Sequence, residues 1–279
     1  MTKKPVISIV IPSCNPGKLL LRSVRSVLAQ TYQDYEIIIA DDGSKDSSGE
    51  LIKTLQLENL YYYRFEHKNA NVARNYGILH SRGKYIAMLD ADDEWFRNHL
   101  EVNMELMMAT ECDGIYSSIE MRTPHKNSVF KARQLNKGEK MINYLLSKGI
   151  GASSSTLFMK REAAGDILWD ESFKRHQDYD FVVRFSQKYK WIANEEVTAA
   201  CYLNYDPKKQ IDFDSCIRFI EKYKEDIAPE IFNLYHSRMY NLAVNSGADK
   251  RIVTYYQKNS GRYSRDVFQD NTKVKNNNF

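Results

Sequence analysis

The chain has 279 residues, enough to bury a full core in one large domain or in one domain with an appendage. Hydrophobic residues make up 43% and charged ones 27%, an ordinary globular balance, with no low-complexity tract before the tail Lys275-Asn276-Asn277-Asn278, where disorder is expected. Cys14, Cys112, Cys201 and Cys216 form no Cys-x-x-Cys pair for zinc and no dense disulfide framework, which excludes a stapled secreted domain and fits a reducing cytoplasm.

Lys3-Lys4 followed by Val6 to Ile11 imitates a signal peptide, but the apolar stretch is short and ends at Pro12, so it reads as a buried strand. No run approaches the ~20 apolar residues of a membrane helix. Further strands are predicted at Tyr35 to Ala40, Leu60 to Phe65, Tyr85 to Leu89 and Gly114 to Ser117. Helices lie between them: Leu19, Leu20, Val24, Val27 and Leu28 recur at helical spacing, as do Leu51, Ile52 and Leu55. A third helix runs through Val72 to His80 and a fourth through Leu100 to Ala109. This alternation of short β-branched runs with amphipathic stretches is the signature of βαβ units and a largely parallel sheet.

From about residue 120 to 206 the alternation breaks down. Arg122 to Lys137 is polar, carries Pro124 and reads as a loop that orders on ligand binding. Met141 to Ser147 reads as a helix, Ser155 to Met159 as a strand, Tyr179 to Tyr189 as a helix and Val197 to Tyr202 as a last strand. Beyond Pro207 the pattern is helical to the end. Net charge is +4, and residues 249 to 279 hold seven bases against three acids, so this segment carries the whole excess.

Chemistry gathers at the strand ends, where open α/β sheets bind ligands. Leu89-Asp90-Ala91-Asp92-Asp93 places three carboxylates in four residues directly behind an apolar run. Such crowding is tolerable where solvent or a hard cation offsets the charge, and Mg²⁺ or Mn²⁺ reaches proteins through one or two carboxylates plus substrate phosphates. The plainer reading is a solvated acidic turn with Asp93 capping the next helix. A second acidic group, Asp41-Asp42-Gly43-Ser44-Lys45-Asp46, follows the second strand, and is equally ordinary turn and capping chemistry. After strand one comes Pro12-Ser13-Cys14-Asn15-Pro16-Gly17, a rigid turn rather than a Gly-rich loop, which argues against a dinucleotide enzyme or a P-loop ATPase. Asn71 to Gly77 opens the third helix with Arg74 in its first turns, a guanidinium suited to a pyrophosphate or to a surface position.

These pieces resemble the inverting nucleotide-sugar glycosyltransferases of family 2, with the GT-A fold. The matching stretches are Ile9-Val10-Ile11-Pro12-Ser13-Cys14-Asn15, Ala40 to Asp46, Ala73-Arg74-Asn75-Tyr76-Gly77, Gly83-Lys84-Tyr85-Ile86 and Leu89 to Asp93, in the family's order and spacing. The resemblance implies a Rossmann-like, mostly parallel sheet flanked by helices over residues 1–206, with 1–118 binding the nucleotide-sugar and 119–206 the acceptor. Residues 207–279 would be a helical C-terminal region with a disordered tail. It further implies that Pro12 and Asn15 shape the loop under the nucleotide, that Asp41 or Asp42 accepts a hydrogen bond from a uracil-like base, and that Arg74 reaches base or phosphate. Asp92 would hold the metal on the diphosphate, and Asp90 would contact ribose or complete the metal site. Similar enzymes often have an aromatic where Cys14 stands.

An inverting transfer needs a carboxylate opposite the leaving diphosphate to take the proton from the attacking hydroxyl. In the family this is the Asp of a Glu-Asp pair opening a helix. Here Gln177 takes the Glu position and Asp178 that of the base, with Asp180 as the competing carboxylate. Ser154, Ser155 and His176 lie where such enzymes line the acceptor site. No Gln-x-x-Arg-Trp follows Asp178, so one sugar per encounter is expected rather than processive synthesis.

The expected partners are a nucleotide-sugar, UDP-linked, and a saccharide or lipid-linked acceptor of cell-surface polysaccharide synthesis. The basic, Tyr-rich C-terminus admits two readings, a peripheral contact with the inner face of an anionic membrane or a packed helical appendage, while nucleic acid is not expected. The rivals to this enzyme are a nucleotidyltransferase on a similar sheet and a non-catalytic saccharide-binding or scaffolding protein.

Overall fold

The computed structural model describes residues 4–148, 152–203 and 211–260. In chain order the strands are β1 Ile7–Ser13, β2 Tyr35–Asp41, β3 Leu60–Arg64, β4 Tyr85–Met88, β5 Glu94–Trp95, β6 Gly114–Arg122, β7 Asn127–Phe130, β8 Leu157–Lys160 and β9 Trp191–Tyr202. The helices are α1 Lys18–Leu28, α2 Ser48–Lys53, α3 Ala70–Leu79, α4 His99–Ala109, α5 Met141–Lys148, α6 Arg161–Ile167, α7 Gln177–Ser186, α8 Phe213–Tyr223, α9 Pro229–Asn245 and α10 Lys250–Asn259.

Two compact units emerge. The first comprises Met1–Gln134 with Gly151–Lys208, and the second Leu135–Ile150 with Lys209–Phe279. Among the described residues the first unit holds one nine-stranded sheet in the order β3-β2-β1-β4-β8-β6-β9-β5, with β7 beside β6. β3, β2, β1 and β4 are mutually parallel. β8 runs antiparallel to both β4 and β6, and β9 returns parallel to β6. The parallel half is the expected one: β1 and β2 are buried at every position, which is why both read as unbroken apolar runs. Register Ser13↔Asp41 sets the last residues of β1 and β2 side by side on the carboxyl edge.

The polar stretch Arg122 to Lys137 is not one loop. β6 runs on to Arg122, turns at Thr123, whose N–H donates to Lys126 O at 3.1 Å, and returns as β7 in antiparallel register. Alternating exposure along β7 explains why it carries no apolar signal. Asp93 does not cap the following helix either: β5 intervenes, and Asn98 precedes α4. The tail from residue 261 lies outside the described residues.

In the second unit α5 packs on the C-terminal helices through Asn143, which donates to Asp226 O at 3.2 Å and accepts from the Ala228 N–H at 2.9 Å. Tyr223, Tyr235 and Tyr256 are buried, so these tyrosines are core. No described helix is long and apolar enough to cross a membrane.

Candidate active site

The loops after β1 and β2 are laced together. Asn15, in the left-handed region at φ 51°, donates its N–H to Ser44 Oγ at 2.8 Å and accepts from the Lys45 N–H at 2.7 Å. The Gly17 N–H donates to Asp46 Oδ2 at 2.8 Å and to Ser48 Oγ at 2.9 Å. Pro12 sits buried inside β1 opposite Ala40 and fixes where that loop departs.

Asp41 and Asp42 differ in what they face. Asp41 is fully buried and spends both oxygens internally, Oδ1 on the Ser44 N–H at 2.9 Å and Oδ2 on the Tyr62 hydroxyl. Asp42 takes the Lys68 N–H on Oδ1 at 2.6 Å and turns Oδ2 toward the exposed His67 ring, 2.8 Å from Nδ1. Cys14 lies beside that ring, its Sγ 3.8 Å from Nδ1. Burial first, then the charges of Asp42, Asp41 and Asp46, raise the Cys14 thiol above its ordinary pKa. The Ser13 hydroxyl at the end of β1 is buried without a hydrogen-bond partner.

Across the edge, α3 begins at Asn69, whose side chain caps the Asn71 and Val72 N–H groups. That start puts Arg74 in the second turn, buried, with Nη2 donating to Asp90 Oδ1 at 3.0 Å and Nη1 to Asn71 Oδ1 at 3.2 Å. Its Nε is buried without a partner, an orphan donor that an anionic ligand would satisfy. Burial disfavours the guanidinium charge, but Asp90, Asp178 and Asp92 together outweigh it and hold the Arg74 pKa above its usual value. Carboxylates from two distant stretches of chain therefore act on the charge of one guanidinium.

The Asp90 to Asp93 turn is pinned from both sides. The Ser155 hydroxyl donates to Asp93 Oδ2 at 2.5 Å and accepts the Asp90 N–H at 3.1 Å, and the Ser23 hydroxyl of α1 donates to Asp93 O at 2.6 Å. Asp92 is exposed, whereas Asp93 is buried and also accepts the Tyr202 N–H at 3.3 Å. Desolvation raises the Asp90 pKa to about 6, with Asp178 and Asp92 adding to it and Arg74 opposing. Desolvation likewise pushes Asp93 up to about 7, aided by the Asp90 charge. A hard divalent cation suits Asp90 and Asp92, which offer only carboxylate oxygens and whose charge, with that of Asp178, exceeds what Arg74 balances.

Asp178 stands in the first turn of α7, where the helix end favours negative charge, and its Oδ1 accepts the Ser154 hydroxyl at 2.8 Å. His176 precedes it in the left-handed conformation, φ 58° and ψ 18°, with its ring stacked near Tyr179. Desolvation and the neighbouring Arg175 depress its pKa to about 3, so the ring is neutral. Asp180 is fully buried on Arg184 Nε at 2.7 Å and cannot compete with Asp178 for a substrate. Ser154 and Ser155 are fully buried, their hydroxyls turned to Asp178 and to the acidic turn.

Several contributors were invisible beforehand. Trp95 supports the serines from below, its indole N–H donating to Ser155 O at 2.7 Å while its ring stacks on His99 at 4.1 Å. Arg22 donates to Asp92 O, and its guanidinium lies 3.6 Å over the Tyr202 ring. His67 arrives from the segment after β3, which carried no motif. A lone histidine, tryptophan or arginine at these spacings has no local signal; only the tertiary fold joins it to the site.

A family model described as Glycosyl transferase family 2 matches residues 8–168. The amylovoran biosynthesis glycosyltransferase AmsB of Erwinia amylovora is 32% identical over 190 residues, covering 63% of this chain and 62% of that protein. The putative teichuronic acid biosynthesis glycosyltransferase TuaG of Bacillus subtilis is 29% identical over 171 residues, covering 59% of this chain and 66% of that protein. The chain thus spans less than two thirds of each of these relatives. Among solved structures, S. aureus TarS 1–349 in complex with UDP-GlcNAc superposes with a TM-score of 0.62 at 16% identity, over 98% of this chain and 76% of that one. At that identity the likeness is one of fold.

Proposed function

The chain belongs to glycosyl transferase family 2 and has the GT-A fold; from that premise we propose that it moves a sugar, with inversion, from a UDP-linked donor to a hydroxyl of a saccharide or lipid-linked acceptor. The observation that carries this reading is the buried Arg74 bound to Asp90 Oδ1 at 3.0 Å beside two consecutive serines, Ser155 holding the Asp90 to Asp93 turn and Ser154 holding Asp178. In this reading it groups carboxylates suited to a metal, a guanidinium suited to phosphate and a separate carboxylate held by Ser154.

In this scheme Arg74 takes the diphosphate on its buried Nε, and Asp42 takes the base on Oδ2, the oxygen beside the exposed His67 ring. Pro12 and Asn15 hold the loop beneath the nucleotide, and Asp41 secures the neighbouring turn from inside. Asp92, with Asp90, would hold Mg²⁺ or Mn²⁺, which supplies charge neutralisation on the departing diphosphate. Asp178 accepts the proton of the acceptor hydroxyl as its oxygen attacks the anomeric carbon. The C–O bond to the diphosphate breaks as the new one forms, and no covalent intermediate is needed. Ser154 aims Asp178, and the neutral His176 lies beside the acceptor's path. Two facts about relatives support the substrate class: TarS structures hold UDP and UDP-GlcNAc, and AmsB and TuaG are named for polysaccharide biosynthesis.

Calorimetric titration of UDP with and without Mn²⁺ tests the donor site. Binding should tighten with the metal, and Asp92→Ala should remove that dependence; binding indifferent to Mn²⁺ in the parent chain rejects the assignment.

A further inference from the structure

β3, β2 and β1 are neighbours in the sheet, and the segment following each contributes one potential metal ligand of a different kind. His67 follows β3, Asp42 follows β2 and Cys14 follows β1. Their ligand atoms all lie within 4.8 Å of one another, with Cys14 Sγ 3.8 Å and Asp42 Oδ2 2.8 Å from His67 Nδ1. We propose that Cys14, Asp42 and His67 form a site for a zinc-class divalent ion, distinct from the oxygen-only set at Asp90 and Asp92, and that this ion and the nucleobase exclude one another.

The donor set selects the ion. Thiolate, imidazole and carboxylate together suit Zn²⁺ or Co²⁺, whereas Mg²⁺ demands oxygens and near-octahedral geometry. With Zn–S about 2.3 Å and Zn–N about 2.0 Å, a tetrahedral ion separates sulfur from nitrogen by about 3.5 Å. The observed 3.8 Å is close to this. The Oδ2 to Nδ1 distance is that of a hydrogen bond, and the exposed His67 ring needs only a small rotation to open it. Three protein ligands leave a fourth position for water. On ligation the Cys14 thiol releases its proton to solvent.

The site is also built rather than fortuitous. Asp42 is buried, and the Lys68 N–H holds its Oδ1 in the manner of an outer-shell partner, which leaves Oδ2 beside the His67 ring. Gly43 has φ +74°, and a Cβ there would stand 2.9 Å from His67 N, so the two backbones meet at closest contact. Cys14 is tethered through its neighbour Asn15, whose two bonds to Ser44 and Lys45 lock the β1 loop onto the β2 loop. Cys14 and His67 are themselves exposed, which leaves an entry path. The exclusion of the base rests on the reading of Asp42 as its acceptor, because an ion held on Oδ2, with its bound water, would fill the space through which the base edge reaches that oxygen.

Co²⁺ titration of the full chain, saturated with Mg²⁺, tests the ion site through thiolate-to-cobalt charge-transfer absorption. The expected result is one Co²⁺ per chain, displaced by Zn²⁺, with the band lost in Cys14→Ser and the affinity lowered at least tenfold in His67→Ala. No band, or a band that persists in Cys14→Ser, overturns the site and leaves His67 and Asp42 as a hydrogen-bonded pair pinning a loop. UDP titration in the same buffer then tests the exclusion: Zn²⁺ should weaken UDP binding in the parent in proportion to its occupancy and leave Cys14→Ser unaffected. A cobalt band that depends on Cys14, together with UDP affinity that Zn²⁺ does not move, overturns the exclusion and rejects Asp42 as the base acceptor while the ion site stands.

Discussion

Asp90 and Asp93 keep protons in the folded chain at pH values where an exposed carboxyl has lost them, and this has a sign that can be measured. Both pKa values are raised above the ordinary 3.8, to about 6 and about 7, chiefly by desolvation. The folded state therefore binds protons more tightly than the unfolded one, and their contribution to stability is complete below pH 4 and lost as pH rises through 6 to 7. Thermal melts in a chelator should show Tm falling from pH 5 to pH 8, with Asp93→Asn flattening that slope; an equal slope in the variant contradicts the assignment. At this scale the sequence named Arg74, Asp90, Asp92 and Asp178 because each sits in a short ordered motif. It did not separate Asp41 from Asp42, since identical neighbours acquire different partners only when Tyr62 and His67 arrive from elsewhere. Ser154 read as an acceptor-side hydroxyl; the fold turns it to Asp178, a contact between residues 24 apart that no local pattern encodes.

Elements were legible where burial is two-sided or a helix face is apolar. β1, β2 and α1 fall within a residue or two of their expected bounds. β5 and β7 were missed because two residues, or four with alternating exposure, become strands only by pairing with β9 and β6. Helix α6 was missed as well; its apolar pattern is short, with only Ala163 and Ala164 buried. One element contact controls the site directly. Gly77 of α3 lies against β1 so closely that a Cβ would meet Val10 Cγ1 at 2.3 Å. Gly77→Ala should cost about 1–3 kcal/mol through overpacking and lift the helix that carries Arg74, one turn earlier. Chemical denaturation and UDP titration together check this; full stability with unchanged affinity shows that α3 has slack the packing denies.

The whole molecule is two units, and the second includes Leu135–Ile150, which precedes the helical C-terminus by about sixty residues. A chain cut after residue 206 loses the partners of α5 and bares Ile142 and Leu145, so its behaviour on membranes would report exposed core. A cut after Ser260 is the sound comparison. Residues 211–260 hold seven bases and seven acids, so within 211–279 the surplus, four bases against two acids, lies in 261–279. Vesicles rich in phosphatidylserine should pellet more of the full chain than of the shortened one, by about 1 kcal/mol per basic residue engaged; equal pelleting removes the tail from any membrane role. The reaction itself turns on Asp178, and the substitution Asp178→Asn isolates that role. Once a UDP-sugar and acceptor are paired with the enzyme, the variant should bind donor as the parent does yet transfer roughly 10²–10⁴-fold more slowly. Transfer near the parent rate, with donor binding intact, would contradict the assignment of Asp178 as the base.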